Sequence, residues 1–314
     1  MEIVVSEEYS GRMLRELMRQ KLHISSRLLA RLKCDERGIL VNGERVTVRR
    51  VLNEGDIVTL ADFPSESEAK VRPVPLDIGI VYSDEYLTVA NKPPHMPTHP
   101  SHDHYDDTLA NALAYIHRDD AEPYIFRPVS RLDRNTSGLV TVAATKYASC
   151  QLNRLMQSGG FHKRYIAVTD GVPALPQGSI ETGIRRTADS IIVRETCEPG
   201  APGSELALTD YRVLASGSGH ALLEVCPRTG RTHQIRVHLS SVLGTPICGD
   251  DLYGSESNLI ARQALHAAGL EFLHPVTGEA LSLAAPLPDD MRVLCERMFP
   301  EFPPERMNSH GRKE

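Results

Sequence analysis

The chain has 314 residues, is 41% hydrophobic and 24% charged, and carries a net charge of −6. These values are ordinary for a globular protein and exclude collagen-like and disordered chains, and no apolar run approaches the roughly 18 residues that span a bilayer. The length gives room for one large domain of about 200–250 residues and a small one.

The acidic start, residues 1–8, lacks the basic and apolar regions of a signal peptide. Six cysteines (34, 150, 197, 226, 248 and 295) are scattered without a C-x-x-C pair, a pattern of reduced thiols rather than a disulfide framework or zinc knuckle. A cytoplasmic protein is expected. Charge is unevenly spread. Residues 11–50 hold eleven Lys/Arg against four Asp/Glu, a local +7 that leaves −13 on the rest. A basic module on an acidic body points to a polyanionic partner.

In that module Leu14, Leu17 and Met18 fall on one helical face, and Ser25-Ser26 can cap a second helix carrying Leu28, Leu29 and Leu32. Arg12, Arg15, Arg19, Arg27 and Arg31 interleave with them and form a cationic face. Residues 38–46 read as strand, Asn42-Gly43 hairpin turn and strand. A further turn at Asn53-Glu54-Gly55-Asp56 precedes a strand at Ile57. Residues 63–75, with three prolines and little periodicity, read as a linker.

The body begins with two short strands at Ile80 and Tyr86, then a Pro-stiffened loop holding His95, His99, His102 and His104. Four histidines in ten residues raise a metal site, but the prolines break helical ligand spacing and no H-E-x-x-H occurs. A polar loop at a cleft mouth is the expectation. A helix from about Asp107 turns Leu109, Leu113 and Ile116 inward. Residues 127–139 then place one carboxylate, Asp133, among Arg127, Arg131 and Arg134. Thr136, Ser137 and a β-branched run follow, so Asp133 sits on a loop entering a buried strand. The neighbouring cations favour its ionised form. Taken locally, this is a loop ion pair.

A helix over 148–156 ends at Gly159-Gly160, and strands follow over 161–168, 178–193, 207–213 and 221–225. The turn at Thr229-Gly230 feeds a helix on which Arg231, Gln234 and His238 share a face. Its density of Arg, Gln and His is high for an ordinary surface helix.

Two resemblances gather these pieces. Residues 11–60, with S-S-R-L-L-A-R-L-K, V-N-G-E-R-V and E-G-D-I-V, resemble the small RNA-binding module named after ribosomal protein S-four. From roughly Val81 to Pro288 the chain resembles the RluA-type pseudouridine synthase family. The shared motifs are S-R-L-D-R-N-T-S-G (130–138), Lys163 with Tyr165, G-R-T-H-Q-I-R-V-H (230–238), G-D-D-L-Y-G (249–254), and Leu265-His266-Ala267 with Phe272, His274 and Pro275. Ser130 stands where the family usually has His, and His95 where it usually has Gly.

The resemblance implies an isomerase that turns specific uridines of structured RNA into pseudouridine. Large-subunit ribosomal RNA is the expected substrate and transfer RNA the second choice. Asp133 is implied as the catalytic residue. Arg131 fills the space of an extruded base, Tyr165 stacks on it, and Arg231 pairs with Asp133. Thr136, Gln234 and Arg236 support the site. Asp133 attacks the ribose, attacks the base, or removes the 2′ proton. No cofactor, metal or membrane is implied, and a monomer is expected. A nucleoside hydrolase would favour a second carboxylate, and a non-catalytic assembly factor a degenerate site. The expected fold is α+β: a largely antiparallel sheet with flanking helices, and a small N-terminal α/β domain. The expected divisions are 1–62 for RNA binding, 63–75 as linker, 76–300 for catalysis and 301–314 as tail.

Overall fold

Short apolar stretches broken by turn residues dictate strands. The computed structural model has fifteen of them among the residues it describes, 2–22, 24, 26–61, 71–120 and 124–302. The chain divides into two units, one of residues 1–69 with 145–151, the other of residues 70–144 with 152–314.

In the first unit, strands β1 (Glu2–Val4), β2 (Ile39–Val41), β3 (Glu44–Arg45) and β4 (Ile57–Leu60) form an antiparallel sheet in the order β1-β4-β2-β3. Asn42 and Gly43 both have positive φ, 53° and 81°. The two-residue hairpin needs that conformation, and Asn-Gly supplies it at little cost. Helix α1 (Leu14–Glu16) continues into a π-helical turn, Leu17–Lys21, and α2 spans Ser26–Cys34. Leu14, Leu17, Met18, Leu29 and Leu32 are buried in this unit's own core. Arg12, Arg15 and Arg19 are exposed. Arg27 and Arg31 fall on α2, but their side chains lie outside the described residues, as do Ser25 and most of the expected linker and tail.

The second unit is built on an eleven-stranded sheet. Its elements in chain order are β5 (Gly79–Ser83), β6 (Leu87–Lys92), α3 (Leu109–Ile116), β7 (Arg127–Pro128), β8 (Ser137–Ala143), α4 (Lys146–Ser158), β9 (Phe161–Asp170) and β10 (Gln177–Arg186). They continue with β11 (Arg194–Cys197), β12 (Glu205–Gly217), β13 (His220–Pro227), α5 (Gln234–Ser241), β14 (Leu265–Leu273), β15 (Ala280–Ala284) and α6 (Asp289–Met298). Residues 146–151 of α4 are counted with the first unit and the rest of the helix with the second. The main path runs β11-β10-β12-β13-β9-β14-β8-β6-β5, with β15 on β14 and β7 on β8. Every pairing is antiparallel except β14 with β8. The fold is α+β, with a large, mostly antiparallel sheet and few helices.

All seven residues of β8 are buried, so both its faces are covered. Val140, Val142, Ile166, Val168, Leu223, Val225 and Leu265 form the centre of the core, each such side chain contributing roughly 1.5–3 kcal/mol. The parallel register sets Ser137 opposite His266 and Gly138 opposite Ala267. Gly138 has φ +111°, and a Cβ there would lie 2.3 Å from the Ala267 carbonyl oxygen. Only glycine allows this approach. The start of β8, four residues after Asp133, is thereby pinned to β14.

Three sequence expectations change. Ile116 is 46% exposed rather than inward, because α3 ends there. The strand expected over 178–193 stops at Arg186, and a separate β11 pairs back onto β10. Helix α5 starts at Gln234, so Arg231 lies before it in a turn.

Candidate active site

Asp133 reaches a cavity of about 240 Å³ formed by the 128–136 loop, β9, and the turn between β13 and α5. The loop is held from behind. Lys92, fully buried, donates to the carbonyls of Pro93 (2.9 Å), Met96 (2.7 Å) and Arg134 (3.1 Å). Thr98 donates to the Leu132 carbonyl at 2.9 Å and accepts from the Leu132 amide at 3.2 Å. Arg262, also fully buried, is bidentate to Asp290 (2.6 and 2.9 Å) and donates to the Asn135 carbonyl at 2.9 Å. Thr136 accepts from Gln263 at 3.2 Å, and Ser137 pairs with His266 at 3.0 Å. The loop backbone and the Thr136 and Ser137 side chains are thereby fixed, as a preorganised site requires.

The Asp133 side chain is 29% exposed, and its Oδ2 lies 3.2 Å from Arg236 Nη1 and 3.9 Å from His233 Nε2. Arg236 is nearly buried and bidentate to Asp250, at 2.8 and 2.7 Å. Burial opposes its charge, but Asp250 and Asp133 outweigh that and hold the guanidinium above its usual range. Asp250 is itself fixed by the amides of Leu252 and Tyr253. The result is a carboxylate–guanidinium–carboxylate chain whose open end is Asp133.

This corrects the expected pairing. Arg231 does not reach Asp133; its Nη1 bonds Glu205 at 2.8 Å and its Nε the Leu206 carbonyl at 3.0 Å. The reason is local. His233 adopts φ +57° as the N-cap of α5, so residues 229–233 turn instead of coiling, and the first helical arginine facing Asp133 is Arg236. Gln234 fastens that turn by accepting from Thr229 (2.7 Å) and the Arg231 amide (2.9 Å). His238, expected beside them, is buried between Thr182 and Thr209.

Tyr165 lines the cavity and is 9% exposed. Burial first, and the charge of Asp133 second, hold its phenol well above its usual pKa. Arg131 is exposed on the cavity wall, and no described residue pairs with it. His233, Lys92, Asp250 and Arg262 also belong to the site. His233 and Asp250 fall within the 230–238 and 249–254 motifs but were given no role from sequence, whereas Lys92 and Arg262 are brought to the loop by long-range packing, which leaves no local signal.

The four loop histidines do not converge. His95 pairs with Asn135 at 3.1 Å, His102 with Asp103 at 2.8 Å and His104 with Asp107 at 2.6 Å. His95 has φ +63°, the left-handed region that glycine favours, which accounts for the family's usual Gly there. Among the described residues the grouping with metal-ligand types in reach is Asp170, His220 and Cys248, outside this cavity.

Residues 86–241 match the family described as RNA pseudouridylate synthase, and residues 1–58 match the N-terminal domain of the RluD ribosomal pseudouridine synthases. The chain is 39% identical to an uncharacterized RNA pseudouridine synthase, YjbO, of Bacillus subtilis, over 92% of this chain and 98% of that one. It is 36% identical to the ribosomal large subunit pseudouridine synthase D of Vibrio parahaemolyticus, over 83% and 82% of the two chains. The solved structure of human RNA pseudouridylate synthase domain containing 4 superposes with a TM-score of 0.57 at 26% identity, covering 70% of this chain and 92% of that one.

Proposed function

The chain belongs to the RluA-type RNA pseudouridine synthases and is an isomerase, and on that premise we propose that Asp133 is its catalytic residue, acting on a uridine flipped out of structured RNA. The observation that carries this is the Asp133–Arg236–Asp250 chain: one half-open carboxylate in a base-sized cavity, neutralised from behind by a buried arginine that a second, fully buried carboxylate holds. Removing a base from its stack costs a few kcal/mol. Arg131, free on the cavity wall, fills the vacated position, and stacking on Tyr165 returns roughly 1–3 kcal/mol.

The reaction breaks the bond from uracil N1 to ribose C1′, turns the base, and forms the bond from C5 to C1′. The proton lost from C5 is matched by one gained at N1, so nothing is consumed. Attack on the ribose, attack on the base, and removal of the 2′ proton all use the Asp133 carboxylate, which Arg236 holds from 3.2 Å away. The fixed ion chain keeps that carboxylate aimed while the base rotates.

Ribosomal RNA of the large subunit is the proposed substrate, by analogy with the relatives that bear that name. Residues 1–62 serve as the RNA-binding domain, with Arg12, Arg15, Arg19, Arg27 and Arg31 on phosphates, and residues 76–300 as the catalytic domain. A cytoplasmic location suits six cysteines that are all free thiols, and a monomer is proposed. Mapping pseudouridines in total RNA from cells with and without the protein tests the proposal. Loss of one or a few sites in large-subunit RNA is expected, and an unchanged map would contradict it.

A further inference from the structure

Four Lys or Arg side chains in the described residues are buried: Lys92, Lys163, Arg236 and Arg262. Three are hydrogen-bonded on several sides. Lys92 has three carbonyls, Arg236 has Asp250 and Asp133, and Arg262 has Asp290 and a set of carbonyls. Lys163 is not. Its Nζ makes one hydrogen bond, to the Thr229 carbonyl at 3.4 Å, and no described carboxylate lies in ion-pair reach. The neighbouring charge is Arg231, of the same sign, and burial and that charge together push the ammonium down to about 8. Leaving a buried ammonium so poorly partnered costs free energy.

The position of Lys163 gives that cost a purpose. It precedes Tyr165 by two residues on β9, so both side chains leave the same strand face, and both line the cavity. Its Nζ rests against the turn opposite, where a Cβ on Gly230 would come within 3.3 Å. The cavity therefore has a carboxylate on one wall and a bare ammonium with unused donors on another. A neutral base carbonyl would leave that charge uncompensated, whereas a phosphate would cancel it and accept two donors.

We infer that Lys163 is a substrate-binding residue whose ammonium grips the phosphate adjoining the flipped uridine, fixing the sugar-phosphate against the Asp133 carboxylate. The inference rests on the proposed site but is tested by binding, so the two can fail separately.

The probe is a synthetic RNA carrying the mapped uridine, made with all phosphates or with one uncharged methylphosphonate on its 5′ or its 3′ side. The nucleoside before each altered linkage carries a 2′-O-methyl group, in the parent RNA too. Affinity is measured in full-length Asp133→Asn protein with Lys163, Lys163→Met or Lys163→Arg. For the all-phosphate RNA, Lys163→Met is expected to weaken binding about tenfold or more, with Lys163→Arg recovering most of it. One methylphosphonate RNA should bind the Lys163 protein as weakly as Lys163→Met binds the parent, and should lose little more in Lys163→Met. If both methylphosphonate RNAs bind the Lys163 protein as tightly as the parent does, the inference is overturned without recourse to a variant. Equal loss from Lys163→Met on all three RNAs would overturn it too. Should the Asp133→Asn protein prove catalytically active while the phosphate dependence holds, the assignment of Asp133 fails and the Lys163 contact stands.

Discussion

Asp133 and Arg236 are 3.2 Å apart, and the behaviour of the site turns on that contact. Arg236→Lys keeps a charge but cannot be bidentate to Asp250 while reaching Asp133. The expected result is a loss of at least 100-fold in single-turnover rate with the fold retained by circular dichroism. Arg231→Gln removes an ion pair to Glu205, whose own side chain is 66% exposed, and should cost less than tenfold. Equal losses would mean the turn, not the ion chain, governs Asp133. That Asp133 and Tyr165 line one cavity was legible in the sequence because local motifs carry them. The choice between Arg231 and Arg236 was not, since it depends on where α5 begins. The left-handed His233 decides that, and the pairing of Arg231 with Asp133 was implied by the family resemblance alone.

At the level of elements, the parallel contact between β8 and β14 positions the loop that carries Asp133. Gly138→Ala sets a Cβ 2.3 Å from the Ala267 oxygen at a φ of +111°, which cannot be relieved without shifting β8. The expected cost is about 2–3 kcal/mol or more of stability, read as a lower urea midpoint, with a larger loss in turnover than in RNA affinity. A variant as stable and active as the parent would show that this register does not set the loop. Most strands were visible as β-branched runs between turns, and Asn42-Gly43 announced its hairpin. Strand β11 was not, because Arg194-Glu195-Thr196-Cys197 is half-buried and mostly polar. The β8–β14 pairing was also hidden: it joins residues about 130 positions apart, and so do Arg262 and the 133–137 loop it clamps. Within-segment patterns carry no information about either.

Across the whole molecule, two bulk properties follow from named residues. Burial pushes His238 and His266 down to about 4, while in the unfolded chain they titrate near 6.5. Between those values the unfolded chain binds more protons, so stability rises with pH. Their contribution is complete above about 6.5 and is lost as pH falls toward 4, at about 1.4 kcal/mol per unit for each group. The urea midpoint should therefore drop from pH 7 to pH 5, and drop less in the His238→Gln/His266→Gln variant, whatever that variant's stability at pH 7. An identical drop would assign acid sensitivity elsewhere. The second property is charge division, +7 over residues 11–50 against −13 elsewhere. Replacing the exposed Arg12, Arg15 and Arg19 by Gln should weaken RNA binding and flatten its salt dependence, by about 0.7–0.9 in log–log slope for each phosphate no longer neutralised. The saturating rate should change little. An unaltered slope would make that face ordinary solvated surface. The proposed function places the chemistry at Asp133, and a single-turnover assay of full-length Asp133→Asn on the mapped RNA tests that directly. The expected result is RNA affinity near that of the parent and no detectable pseudouridine; product above trace would contradict Asp133 as the catalytic group.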